Sequence, residues 1–337
     1  MKILVVRVGK AGDMVMITPA LRALLVLYPQ AEFHLLTSPD GCRILRGFDP
    51  RITEFFIYPT GVLQECLHRR RIVRRLKDCG YARAYIFEAD PRYHSLMRIA
   101  EQPASLLRCD PPLVHYSERC LSLVRQSTDL PVQNTWIELP VTEEGRNRSA
   151  AYLHQHGVRE TDIVVGFHST SSSASAAFFR KRKRRMHRSW PAEYFASLAR
   201  LLHEHAQTQG MPLRILMDVL PEEQRLVEPI VRMSRGLVTL VSAPPDFERY
   251  KGVLQKMRLL VTPDTGPMHI AAAVGTPLVA LFSSKAPEDC GPYVPADKYR
   301  VLRAENTAHS ELGLAAISPE SVFQACLPFL PSSCSTS

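Results

Sequence analysis

The chain has 337 residues, with 42 Lys and Arg against 33 Asp and Glu, a formal net charge of +9 and 45% hydrophobic residues. That length suits two domains of ordinary size, and the charge favours an acidic partner: a phosphorylated substrate, an anionic membrane surface or nucleic acid. No apolar run approaches the roughly 20 residues of a bilayer-spanning helix, and Met1-Lys2-Ile3-Leu4-Val5-Val6-Arg7 is too short an apolar start for a signal peptide, so a cytoplasmic protein is expected. The eight cysteines are scattered, with no C-x-x-C pair and no zinc spacing, which predicts reduced packing residues.

Taken in order, Lys2 to Val8 reads as a central parallel strand, nearly continuous in apolar character. Gly9-Lys10-Ala11-Gly12-Asp13 follows as a tight turn, then a helical pattern to about Tyr28 that Pro19 either kinks or starts. The turn is neither a P-loop nor G-x-G-x-x-G. Asp13 sits at the mouth of the sheet, where it either caps the helix or serves chemistry. Glu32 to Thr37 is the next strand. Arg69-Arg70-Arg71, Arg74, Arg75 and Lys77 lie on a helix whose apolar side is Leu67, Ile72, Val73 and Leu76; this run is either a solvated face or an anion-binding one. Tyr85 to Phe87 is a strand that delivers Glu88-Ala89-Asp90-Pro91-Arg92 and His94 to the sheet edge, and His115 to Val124 is a loop and helix.

A change of domain is expected between 140 and 162. Thr142-Glu143-Glu144 opens a helix that runs to about His156, with Gly157 ending it, and Asp162 to Phe167 starts a second sheet. A Ser-rich stretch (Ser169 to Ala177) and the run Arg180-Lys181-Arg182-Lys183-Arg184-Arg185 read as an inserted loop; no aromatic platform or nucleic-acid motif accompanies them. An amphipathic helix over Ala192 to His205, a strand over Leu213 to Met217 and a helix opening at Pro221-Glu222-Glu223 follow. Next come a strand over Leu237 to Val241, a helix over Phe247 to Met257, and a last helix over Pro319 to Leu330.

Between these lies the most informative stretch. Arg258-Leu259-Leu260-Val261 is a buried strand, Met268 to Val274 a small-residue helix ended by Gly275, and Leu278 to Phe282 another strand. The turn between, Thr262-Pro263-Asp264-Thr265-Gly266-Pro267, places a helix N-terminus at the C-terminal edge of a parallel sheet, an arrangement suited to a diphosphate. Asp264 and Thr265 either cap that helix or touch a ligand; Gly266 lets a ligand approach; His269 either packs or reaches a phosphate.

Together these pieces resemble the ADP-heptose:lipopolysaccharide heptosyltransferases, glycosyltransferase family 9. Ile3 to Arg7 with Gly12-Asp13 and Thr18-Pro19-Ala20-Leu21 is similar to the family's opening. Arg188-Ser189-Trp190-Pro191 resembles its Lys-x-Trp-Pro element, and Asp264 to Ala273 its Asp-Ser/Thr-Gly-x-x-His-x-Ala-Ala signature. The resemblance implies an α/β GT-B fold of two Rossmann-like domains facing across a cleft: an acceptor domain over 1–160 and a nucleotide-sugar domain over 161–337. It implies inverting transfer of heptose from ADP-heptose to the Kdo or heptose region of lipopolysaccharide inner core, with Asp13 as general base. The donor would meet Arg188, Glu222 or Glu223, Asp264, Thr265, Gly266 and His269; the acceptor would meet Gly12, Arg69 and Arg92. No cofactor or metal is expected, in keeping with the lack of an Asp-x-Asp motif, and no nucleic acid; peripheral contact with the anionic inner membrane is. Two departures stand out: Arg replaces the family lysine at 188, and Asp218-Val219-Leu220 stands where the family often has glycines. The competing readings are a GT-B enzyme with another nucleotide sugar or acceptor, and a non-catalytic basic adaptor for nucleic acid or membrane.

Overall fold

The computed structural model describes residues 1–58, 62–99, 101, 103, 105–106, 114–133, 135–169 and 188–331, with the backbone alone at 62–68, 99 and 106. The Arg180–Arg185 run and most of the Ser-rich stretch lie outside the described residues. The chain divides into two units: Met1–Pro140 with Glu288–Tyr293, and Val141–Pro287 with Val294–Ser337. Among the described residues no helix is long and apolar enough to cross a membrane.

The first unit is built on a five-stranded parallel sheet ordered β3-β2-β1-β4-β5. Its strands are β1 (Lys2–Arg7), β2 (Glu32–Thr37), β3 (Ile52–Ile57), β4 (Arg83–Ile86) and β5 (Ser105–Leu106). β1 is central, so both its faces are covered, and Ile3, Leu4, Val5 and Val6 are buried. Leu4, Val6, Phe56 and Ile86 pack against Ile72 and Leu76 of α4 (Val62–Cys79) and against Leu96 and Met97 of α5 (Pro91–Ile99). The helix expected from the turn to Tyr28 is two helices, α1 (Ala11–Met16) and α2 (Thr18–Leu27), with Pro19 in the first turn of the second. α3 (Pro39–Leu45) follows β2, and α6 (Tyr116–Gln126) follows β5.

The second unit carries a six-stranded parallel sheet ordered β11-β10-β9-β6-β7-β8. Its strands are β6 (Ile163–Phe167), β7 (Leu213–Val219), β8 (Val238–Ser242), β9 (Leu259–Pro263), β10 (Leu278–Phe282) and β11 (Tyr299–Arg303). Its helices are α7 (Glu143–Gln155), α8 (Ala192–Thr208), α9 (Gln224–Met233), α10 (Phe247–Lys256), α11 (Gly266–Ala273) and α12 (Pro319–Cys326). On one face, Val165, Met217, Val261 and Leu281 meet Phe195, Leu198 and Leu202 of α8 and Val322 of α12. Pro328 lacks the N–H that would continue α12, and α12 passes into a 3₁₀ turn, Leu327–Phe329, where sequence predicted helix.

The division falls before α7, not after 160, because α7 is fastened to α10. The Thr142 hydroxyl accepts the Gly145 N–H, capping α7, and donates to Glu248 Oε2 at 3.0 Å. The two backbones come close: a Cβ on Gly252 would meet Ser149 Oγ at 2.4 Å and the Gly145 carbonyl oxygen at 2.8 Å. Gly157, with φ of +74°, ends the helix as expected.

Candidate active site

The signature turn of the second unit joins β9, fully buried, to α11. Thr265 is the N-cap residue, but its hydroxyl turns back to the Pro263 carbonyl oxygen at 3.3 Å and gives α11 no side-chain cap. Asp264 instead meets Arg188: the guanidinium Nη2 donates to the Asp264 carbonyl oxygen and to Oδ2, each at 3.0 Å. Trp190, two residues on, fixes that arginine. Its ring is buried against Phe195 at 4.7 Å between centroids, and its indole N–H donates to the Ile317 carbonyl oxygen at 2.9 Å. The Arg-x-Trp-Pro element is therefore an anchor that holds a cation over the start of α11, whose first N–H groups form a positive helix end.

Gly266 is the first residue of α11, and His269 is packed in its first turns at 4% exposure. The two glutamates expected near a ribose follow β7 in a 3₁₀ turn, Pro221–Glu223, rather than in the α-helix itself. Glu223 Oε2 accepts the Leu220 N–H at 3.1 Å, whereas Glu222 is exposed. β6 separates β7 from β9, so these glutamates and the Arg188–Asp264 pair rise from different strands of one sheet. Just before them, Asp218 accepts the Tyr152 O–H at 3.3 Å. Burial pushes its carboxyl up to about 6, against the pull of Arg249 and Tyr152.

In the first unit Asp13 is the third residue of α1, so it is not the N-cap its position in sequence allows. It reaches back: Oδ2 accepts the Lys10 N–H at 2.8 Å, and Oδ1 meets Arg7 Nη2 at 3.2 Å. Its carboxylate folds over Gly9, where a Cβ would lie 2.6 Å from the Asp13 Cβ. Arg7 also binds Glu88 Oε2 through Nη1 at 3.1 Å, and its guanidinium lies 4.5 Å from the centre of the Tyr116 ring. Burial pushes the Glu88 carboxyl up, opposed by Arg7 and by the Val8 N–H at 2.8 Å. Arg7, Glu88 and Tyr116 were not in the sequence-derived site. The signal for Glu88 was present, since it follows β4, and β4 pairs with β1 directly.

Of the acceptor candidates, Gly12 is buried inside α1. Arg92 is the second residue of α5 and sets its fork on Asp90 at 2.8–2.9 Å, which holds the Asp90 carboxyl below its usual range. Arg69 is half-buried on α4. On α4, Arg75 pairs with Glu54 and Lys77 with Glu101, while Arg70, Arg71 and Arg74 are exposed.

Two parallel-sheet α/β units, each with its polar cluster at a strand-to-helix turn, are the architecture of the GT-B glycosyltransferases. The model of glycosyltransferase family 9 (heptosyltransferase) matches residues 105–314, and the chain belongs to that family. It is 24% identical over 329 residues to lipopolysaccharide heptosyltransferase 2 of Escherichia coli (strain K12), covering 90% of this chain and 88% of that one. Among solved structures it resembles the family 9 glycosyltransferase of Veillonella parvula DSM 2008, with a TM-score of 0.80 and 20% identity over 97% of this chain and 96% of that one. It also resembles the E. coli ADP-heptose lipopolysaccharide heptosyltransferase II, with a TM-score of 0.74 and 21% identity over 98% of each chain.

Proposed function

We propose that this glycosyltransferase moves heptose from ADP-heptose to the Kdo or heptose region of lipopolysaccharide inner core, inverting the sugar carbon. The observation that carries the reading is Arg188 held on Asp264 beside the start of α11, to which Thr265 gives no side-chain cap: a fixed cation and a positive helix end together suit a departing diphosphate. The names of the relatives support the same donor and acceptor.

In this reading the second unit takes the donor, with Thr265, Gly266 and His269 lining the diphosphate side. Glu222 is the better ribose partner, because Glu223 already accepts the Leu220 N–H. The first unit takes the acceptor, with Gly12, Arg69 and Arg92 near it. An acceptor hydroxyl oxygen bonds to the anomeric carbon, the carbon–oxygen bond to ADP breaks, and Asp13 takes the hydroxyl proton. The leaving charge is met by Arg188 and α11, so no metal is required. The enzyme works in the cytoplasm, with the exposed arginines of α4 against the anionic inner membrane.

The test is ADP release from ADP-heptose and heptose-deficient lipopolysaccharide, with and without EDTA. Release that needs the acceptor and ignores EDTA is expected, and Asp13→Asn lowers it by about 10²–10⁴-fold with ADP binding retained. ADP binding without release points to another sugar or acceptor. Loss of ADP binding in Asp13→Asn removes Asp13 from the base role.

A further inference from the structure

We infer that Arg7 and Glu88 are positioning residues for Asp13: Arg7 fixes the carboxylate that receives the proton, and Glu88 shares the charge of Arg7, so that Asp13 stays able to receive it. The inference rests on the base role proposed for Asp13. Its ground is the division of one guanidinium between two carboxylates. Nη2 meets Asp13 Oδ1 at 3.2 Å, and Nη1 meets Glu88 Oε2 at 3.1 Å. The two acids differ in access: the Asp13 side chain is 37% exposed and that of Glu88 9%. Only Asp13 is open to an incoming hydroxyl.

The charge balance gives the arrangement its consequence. With both acids ionised, the three groups sum to one negative charge. When Asp13 takes a proton, Arg7 and Glu88 remain as a balanced buried pair. With a neutral residue at 88, the same event would leave Arg7, itself 13% exposed, as an uncompensated buried cation, which is strongly disfavoured. The other groups facing the cluster are the Lys10 backbone N–H in the turn, Asp90 after β4, Tyr93 on α5, and Tyr116 and Cys120 on α6; His94 Nε2 on α5 lies 2.8 Å from the Glu88 carbonyl oxygen.

The experiment follows the Asp13 side-chain carboxyl directly, by carbon-13 NMR of aspartate-labelled full-length protein across pH, with the signal assigned by its loss in Asp13→Asn. Glu88→Gln moves the midpoint down by about half a unit to one unit, and Arg7→Gln moves it up by a similar amount. The acid limb of turnover against pH moves in the same two directions, and ADP affinity changes less than about twofold. Opposite shifts are the signature. If Glu88→Gln does not fold, the upward shift in Arg7→Gln alone is required. No shift in either variant, or two shifts of one sign, overturns the inference and leaves both as packing residues. His94→Gln, run alongside, must leave the midpoint in place. Because NMR needs no turnover, a wrong donor or acceptor shows as inactive wild type with the shifts intact, and a wrong inference as active wild type without them.

Discussion

Arg188 makes both of its bonds to Asp264 through a single nitrogen, Nη2. A lysine at this position has one compact ammonium and no planar fork to hold that geometry while presenting charge to a ligand. Arg188→Ala is expected to weaken ADP binding about tenfold or more, on the order of 1.4 kcal/mol, with Arg188→Lys in between; isothermal titration with ADP checks both. Asp218 gives a prediction of the opposite kind. Its folded carboxyl lies near 6, against about 4 when exposed. Between those values the folded chain holds a proton that the unfolded chain has lost, so this group lowers stability as pH rises from about 4 to 6. Asp218→Asn keeps an oxygen for the Tyr152 O–H and needs no ionisation. Its melting temperature should exceed that of wild type above pH 6, with the gain vanishing below about 4; scanning fluorimetry across pH reads this directly.

At the scale of elements, the crossing of α7 and α10 is a tightly packed joint. With Ser149 Oγ 2.4 Å and the Gly145 carbonyl 2.8 Å from the place a Cβ would occupy, Gly252→Ala must push the helices apart. A loss of about 1–3 kcal/mol is expected, measured as a lower denaturant midpoint. The uniformly apolar strands were the plainest to read in the sequence. β1, β9 and β10 read as continuous apolar runs because they lie inside their sheets. β3 (Ile-Thr-Glu-Phe-Phe-Ile) and β11 (Tyr-Arg-Val-Leu-Arg) were not predicted: they are edge strands whose mixed burial leaves no clean period. The site divides the same way. Asp264, Thr265, Gly266 and His269 are contiguous in sequence and were legible together. Glu88, which shares Arg7 with Asp13, was not, since it meets Val8 across 80 positions and only the β1–β4 pairing brings them side by side.

Across the whole molecule, the formal charge of +9 is concentrated in part on α4, where Arg70, Arg71 and Arg74 are exposed and Ile72 and Leu76 face the core. Such side chains contribute about 1 kcal/mol each near an anionic surface. Vesicles with anionic lipid should therefore sediment the protein at low salt and release it near ~1 M, where the Debye length is about 3 Å. Changing the three arginines to glutamate should abolish the effect; equal binding to neutral vesicles would remove the membrane contact. The first unit is completed by Glu288–Tyr293, which returns to it late in the sequence. There Asp289 pairs with Arg119 at 2.6 Å, Tyr293 donates to Glu118 at 2.8 Å, and His115 stacks on Tyr293 at 4.7 Å. A fragment ending at residue 140 would lack the piece that covers its own α6. Hybrids that exchange the two units between relatives therefore need three junctions, not one, so that the six returning residues travel with the N-terminal part they complete.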